Sequence, residues 1–181
     1  MRDQGPTNDD RLQEVFEDLE QQAQGMQLSE RDEAVAELGV AEYAAVDLLG
    51  RLHGSVGQVL SVRLPHGLRV RGELERVGSD FCILGETRAR WLVCVPALLA
   101  VDGLSARVVD EVARPALARL SMRSALRRLG DDAAGCVVHL VDGDRMEGRP
   151  GRVGSDFFVL EGSGGGSAVP FAAVAAVRVR R

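Results

Sequence analysis

Arg76-Val77-Gly78-Ser79-Asp80-Phe81 recurs letter for letter as Arg152-Val153-Gly154-Ser155-Asp156-Phe157, 76 residues further along the chain. The match spreads outward at the same offset: Val62, Leu64, Gly67, Arg69, Gly72 and Leu84 meet Val138, Leu140, Gly143, Arg145, Gly148 and Leu160. After a two-residue gap, Val95-Pro96 meets Val169-Pro170. Internal self-similarity constrains a fold more strongly than local propensity, because one architecture must accommodate both stretches. The chain therefore carries two repeats of one small module.

Within the first repeat the hydrophobic period is two, the period of a strand with one buried face. Val59 to Leu64 reads as a strand, Pro65-His66-Gly67 as a turn, and Leu68 to Val77 as a second, longer strand. Gly78-Ser79-Asp80 turns the chain into a third strand at Phe81–Leu84, followed by a fourth at Trp91–Val95 and a short fifth at Leu98–Val101. Five short strands, with Gly72 inside the longest, suggest a strongly bent sheet closing into a small barrel. The second repeat runs from Cys136 to Val179, and its Gly162-Ser163-Gly164-Gly165-Gly166-Ser167 stretch reads as a flexible hairpin loop.

Helical periodicity surrounds the two β modules. Leu12, Val15, Phe16 and Leu19 follow a 3.6-residue period, with acids on the other face. Ser29, with Asp32 three residues later, marks a second start, and helix continues to about Leu52. Pro115 suits a first helical turn, and Ala116 to Leu129 continues as the helix between the repeats. The expected organisation is a disordered tail at residues 1–8, an acidic helical region at 9–41, and two modules with their helices at 42–104 and 105–181.

A helix, five bent strands, Val62-x-Leu64-x-x-Gly67, the Gly72-to-Phe81 spacing and its equivalents from Val138 to Phe157 resemble the Sm-like small barrel. The resemblance implies an α+β, mainly β fold: two five-stranded barrels in tandem, with Gly72 and Gly148 bending the second strand of each. A looser resemblance is to PRC-barrel domains. RNA-binding Sm-like proteins place an Asp after the apolar residue that ends strand two and an Asn a few residues later. Here those positions carry Gly78 and Cys82, and again Gly154 and Phe158, so the base-contacting Asn is missing from both repeats. In the resembled family strand edges pair between subunits to build rings. A tandem chain could pair its repeats internally or join a ring of a few chains.

Asp80 and Asp156 each stand beside a Ser, but neither has a His or Lys at a repeated spacing to act as base. Gly-Ser-Asp is turn chemistry, and the motif residues Gly72, Gly78, Asp80, Phe81, Gly148, Gly154, Asp156 and Phe157 are read as structural, the phenylalanines as core anchors. The three cysteines and three histidines never fall at ligand spacing, and the glycine-rich stretch lacks the ending of a phosphate loop. No cofactor, metal or catalytic role is expected.

Charge is unevenly spread. Residues 1–50 hold thirteen acids and three arginines, whereas residues 51–181 hold fourteen acids and nineteen arginines. Arg119, Arg123 and Arg127 form an i, i+4, i+8 stripe that could track a phosphate backbone or simply be a solvated face. Aromatic residues make up only 4% of the chain, which leaves little for stacking on bases. The expectation is a non-catalytic interaction or scaffold protein that binds a protein partner or itself; the alternative is an RNA-binding regulator using the Arg-rich helix at 114–128. No apolar run is long enough to span a bilayer. The polar first ten residues lack a signal-peptide layout, so a cytoplasmic, membrane-free protein is expected.

Overall fold

The computed structural model describes residues 43, 44, 46–131 and 135–180. The chain divides into two units, Met1–Val46 and Asp47–Arg181. The tail at 1–8 and the acidic helical region at 9–41 lie outside the described residues, and all that follows concerns the second unit.

Helix α1 spans Leu48–Gly54. Asp47 caps it: Oδ1 accepts from the Gly50 N–H at 2.6 Å, satisfying a donor that the first turn leaves unpaired. Arg114 Nη2 donates to both carboxylate oxygens of Asp47, at 2.6 and 2.7 Å. Strands β1 (Val59–Arg63), β2 (Arg69–Val77), β3 (Phe81–Gly85), β4 (Ala89–Cys94) and β5 (Ala100–Asp102) make the first repeat. Helix α2 (Met122–Asp131) precedes β6 (Cys136–Leu140), β7 (Arg145–Val153), β8 (Phe157–Gly162), β9 (Gly165–Pro170) and β10 (Val174–Arg180). Every pairing is antiparallel.

The two repeats agree residue by residue. Leu60↔Gly72 in the first becomes Cys136↔Gly148 in the second, Leu74↔Leu84 becomes Pro150↔Leu160, and Cys82↔Val93 becomes Phe158↔Val169. The same offset carries Val62↔Val101 into Val138↔Val177. It extends through the whole module, so the expected two-residue gap is absent. Val95-Pro96 opens a 3-10 turn, whereas Val169-Pro170 ends β9; their likeness is coincidental, and Phe171 is the equivalent of Val95.

Long strands bend because each serves two neighbours. Arg69–Glu73 of β2 pair with β1, and Glu73–Val77 pair with β3. A Cβ on Gly72 would meet the Gly85 carbonyl oxygen at 2.5 Å, and one on Gly148 would meet that of Glu161 at 2.5 Å. Only glycine lets the strands cross this closely. A register shift follows at Leu74/Arg76 in one repeat and at Pro150/Val153 in the other, adding to the bend.

The expected fold class holds in its broad form: mainly β, with ten antiparallel strands and two helices among the described residues of the second unit. Its finer form does not emerge from the pairing, which records one open sheet in the order β5-β1-β2-β3-β4-β10-β6-β7-β8-β9. The halves meet where β4 pairs with β10, Leu92 opposite Val177 and Trp91 opposite Arg178. Two apolar cores flank this joint. One gathers Leu52, Leu60, Val62, Leu74, Leu84 and Val93 of the first repeat with Ala176 of β10. The other gathers Leu126, Val138, Phe158 and Val174 with Phe81 and Leu92 of the first repeat. Each core thus borrows side chains from the other half, which fixes the repeats to one another by burial as well as by strand pairing.

Two local expectations need correction. The helix expected over Ala116–Leu129 divides into a 3-10 turn at Ala116–Arg119 and an α-helix from Met122 to Asp131. The glycine-rich stretch is not a loop throughout: Glu161 pairs with Gly166 and Gly162 with Gly165, leaving only Ser163-Gly164 as the turn. Glycines bring no side chain to a pleated face, so the strand was invisible to periodicity. No helix among the described residues is long and apolar enough to cross a membrane.

Candidate interaction surface

The repeated hexapeptide builds the same turn twice. The Gly78 N–H donates to the Phe81 carbonyl at 2.8 Å, and the Gly154 N–H to the Phe157 carbonyl at 2.8 Å. The Asp80 carbonyl accepts from the Val95 N–H and the Asp156 carbonyl from the Phe171 N–H, both at 2.9 Å. The motif backbone thus closes the same hydrogen-bonded turn in both repeats.

The side chains diverge. In the first repeat the segment entering α2 lies across the motif. The Ser79 N–H donates to the Leu120 carbonyl at 2.9 Å, and Ser79 Oγ reaches the same oxygen at 3.2 Å. Met122, the first residue of α2, donates its N–H to Asp80 Oδ1 at 2.6 Å. Asp80 is thus more than a local turn residue: its carboxylate, 42 positions away in sequence, satisfies an unpaired donor at the helix start, where negative charge also meets the helix dipole favourably. Phe81 is 5% exposed and packs in the core that contains Met122 and Leu126. A Cβ on Gly78 would meet the Phe81 ring at 2.3 Å and the Leu120 carbonyl oxygen at 2.5 Å, so the crossing demands glycine.

The second motif has no such cover among the described residues. Asp156 Oδ1 accepts only from Ser155 Oγ, at 3.2 Å. Phe157 is 38% exposed, which corrects its expected place as a core anchor. Gly154 faces the Phe157 ring but has no counterpart of the Leu120 carbonyl. Beside this motif runs β9, whose residues 165–168 are exposed, whereas Trp91 and Leu92, the equivalents of Ser167 and Ala168, are buried in β4 where it pairs with β10.

At the occupied joint, Arg178 lies over the Trp91 ring at 5.6 Å from its centre, and the His139 ring stands 5.1 Å from it. Such a cation over an indole face is stabilising where water is excluded. Among the described residues, Trp91 Nε1 and Arg178 Nε are buried without a hydrogen-bond partner. Burial, then the nearby Arg145 and Arg178, push the His139 pKa below its usual 6.5. The joint was not anticipated residue by residue. Its signal was Val177-Arg178-Val179-Arg180, an alternation longer than the three-residue β5 that precedes the linker.

The arginine stripe is also divided. Arg119 sits in the 3-10 turn, and Arg123 and Arg127 lie one turn apart on α2. All three are exposed, as is Arg128. An open bowl of about 620 Å³ elsewhere is lined by Arg149, Arg178 and Arg180 together with Glu147 and Glu161, so its charges are mixed.

Among the described residues no group of three His, Cys, Asp or Glu side chains could hold a metal ion. The cysteines are free. Burial pushes the Cys82 thiol up to about 12 and that of Cys136 to about 11, which keeps both protonated and poorly nucleophilic at neutral pH. No protein-family model matches the chain, and no curated protein matches its sequence.

Proposed function

We propose that the protein is a non-catalytic interaction protein, a scaffold built on two Sm-like small-barrel repeats whose working parts are strand edges and the repeated motif. The observation that carries this reading is the engagement of the first motif: Asp80 holds the Met122 N–H while β4 takes β10 along its edge. A module that binds its neighbour through one edge and one motif is a recognition unit, and edge pairing is a general mode of protein recognition. The constant offset through every paired strand supports duplication of such a unit. The missing Asn at Cys82 and Phe158 argues against base recognition in the manner of the resembled RNA-binding proteins. A pull-down from native lysate, with and without nuclease, tests the reading. A protein partner or further copies of the chain should be recovered in both arms; recovery that depends on nucleic acid would overturn it.

One observation favours a second reading, binding of RNA. Arg119, Arg123, Arg127 and Arg128 are exposed and make no ion pair with the described residues. Phosphate contacts of this kind weaken steeply with salt. The expected outcome is no mobility shift with RNA or DNA at physiological salt. Tight, salt-sensitive binding that is lost on changing Arg119, Arg123 and Arg127 to Glu would reverse the order of the two readings.

A further inference from the structure

On the first repeat, Phe81 lies opposite Cys94 and Ile83 opposite Leu92, so these four side chains share one face of the β3–β4 ladder. Phe81 and Leu92 are buried, and Ile83 and Cys94 pack against the same core, which contains Met122 and Leu126 of α2. The constant offset carries the four to Phe157, Val159, Ala168 and Pro170, which pair in the same way on β8 and β9. There Phe157, Ala168 and Pro170 are exposed and Val159 is half-buried. On the reading of the protein as a repeat-built interaction module, we propose that this apolar face and the second motif together dock the start of an amphipathic α-helix from a partner protein.

The first motif specifies the occupant. The chain entering α2 gives its Leu120 carbonyl to the Ser79 N–H at 2.9 Å, and two residues later its Met122 N–H to Asp80 Oδ1 at 2.6 Å. A backbone donor beside a carboxylate acceptor thus reads a carbonyl followed by the first free N–H of a helix. The second motif keeps both valences open. Among the described residues the Ser155 N–H has no acceptor, and Asp156 accepts only from Ser155 Oγ at 3.2 Å. First-turn N–H groups are unpaired in every helix, and the Asp156 carboxylate meets the positive end of the helix dipole favourably. Selection among helices falls to the apolar face. Met122 and Leu126, four residues apart and so on one side of α2, share a core with Phe81 and Leu92. The partner helix needs apolar residues at that same spacing to cover Phe157 and Val159. Ala168 in place of Leu92 leaves room for a larger apolar side chain. A helix laid by its apolar side onto an apolar surface is a general mode of recognition.

A fluorescein-labelled peptide with the sequence of residues 115–131 supplies the Leu120 carbonyl, the Met122 N–H and the apolar side of α2. Its anisotropy is followed as the full chain is added at physiological salt. Saturable binding is expected. Phe157→Ala should weaken it by about tenfold or more, as loss of a central aromatic anchor does, with the melting temperature nearly unchanged. Asp156→Ala should weaken it by a smaller factor. Asp80→Asn should leave it as it is, because the first motif is already filled by the chain's own α2. A scrambled peptide of the same composition carries the same charge and should not bind. No binding, equal binding of the scrambled peptide, or indifference to both second-motif substitutions overturns the inference. If in that event the full chain still recovers a protein from lysate independently of nuclease, the interaction reading survives and the helix site alone is lost.

Discussion

The two copies of Arg-Val-Gly-Ser-Asp-Phe are identical in sequence and nearly identical in backbone, yet they live in different surroundings. Both close the same turn at 2.8 Å between the Gly N–H and the Phe carbonyl. Phe81 is 5% exposed and Phe157 38%. Asp80 caps α2, whereas among the described residues Asp156 bonds only its neighbouring Ser155. Six residues are enough to set a turn, since the turn is made of their own backbone groups. Burial is set by whatever arrives from elsewhere. For the first motif that is the segment from Leu120 to Leu126; among the described residues no segment lies across the second motif in the same way.

The sharpest way to break this comparison is to remove the two aromatic rings separately. Phe81→Ala should cost about 3–5 kcal/mol, because it deletes a buried ring and leaves a cavity between β3 and α2. Phe157→Ala should cost about 1 kcal/mol or less, the range of a substitution away from the core. Denaturant midpoints of dilute protein measure both. Equal losses would mean that the second motif is as well covered as the first.

The aspartates come next in size. Asp80→Ala should destabilise by about 1 kcal/mol, and at most about 2, as the loss of a helix cap does. Asp80→Asn should retain most of the stability, since an amide oxygen accepts the same N–H. Asp156→Ala should stay within about 0.5 kcal/mol of the parent. A large loss at Asp156 in dilute protein would show that its carboxylate has a partner within the chain.

Much of this architecture was legible beforehand, for reasons that can be named. The strands of the first repeat follow from period-two alternation at Val59–Arg63 and Arg69–Val77 bounded by Pro, Gly and Asp. The crossing glycines, Gly72 and Gly148, follow from their place inside an otherwise continuous strand. What escaped was non-local. Nothing near Asp80 announces a helix 42 residues on. The break before Met122 escaped because Leu120 and Ser121 are ordinary helix residues; the structure instead spends the Leu120 carbonyl on Ser79 and starts α2 at Met122, whose N–H Asp80 accepts. The joint escaped because pairing between repeats depends on which edge is free, a property of topology rather than of any local pattern.

Thiol reactivity extends the comparison to the cores. Cys82 is fully buried in the first, and Cys136 is 6% exposed beside the open bowl of the second repeat. Burial holds both thiols far above neutrality, at about 12 and about 11. Both should label much more slowly than free cysteine at pH 8, Cys82 more slowly than Cys136. Mass spectrometry of a timed alkylation reads the order, and complete labelling should require denaturant. Fast labelling of Cys82 in the native protein would mean that the first core opens readily.

The smallest effect expected is a pH dependence centred on the joint that binds the repeats together. His139 is half-buried beside Trp91, with Arg145 and Arg178 near enough to oppose a third positive charge. Its folded pKa is therefore lowered from 6.5, first by burial and then by the two arginines. The unfolded chain binds the proton more readily than the folded one, so acid favours unfolding. The resulting stability is complete above the ordinary histidine value and is lost as pH falls through it towards the lower folded value. His53 carries the same sign, also by burial first and then by Arg114, so it contributes to the same slope. Melting temperature should rise between pH 5 and pH 7 and then level off. His139→Gln should remove part of that rise and His53→Gln a further part. Only His139 belongs to the joint. If the joint opens with loss of the Trp91 contact, the His139 share of the slope should be accompanied by a change in tryptophan fluorescence, a signal with one source because Trp91 is the chain's single tryptophan. A slope that survives both substitutions would place the acid sensitivity elsewhere, and a fluorescence change tied to His53 instead would separate the pH response from the contact between repeats.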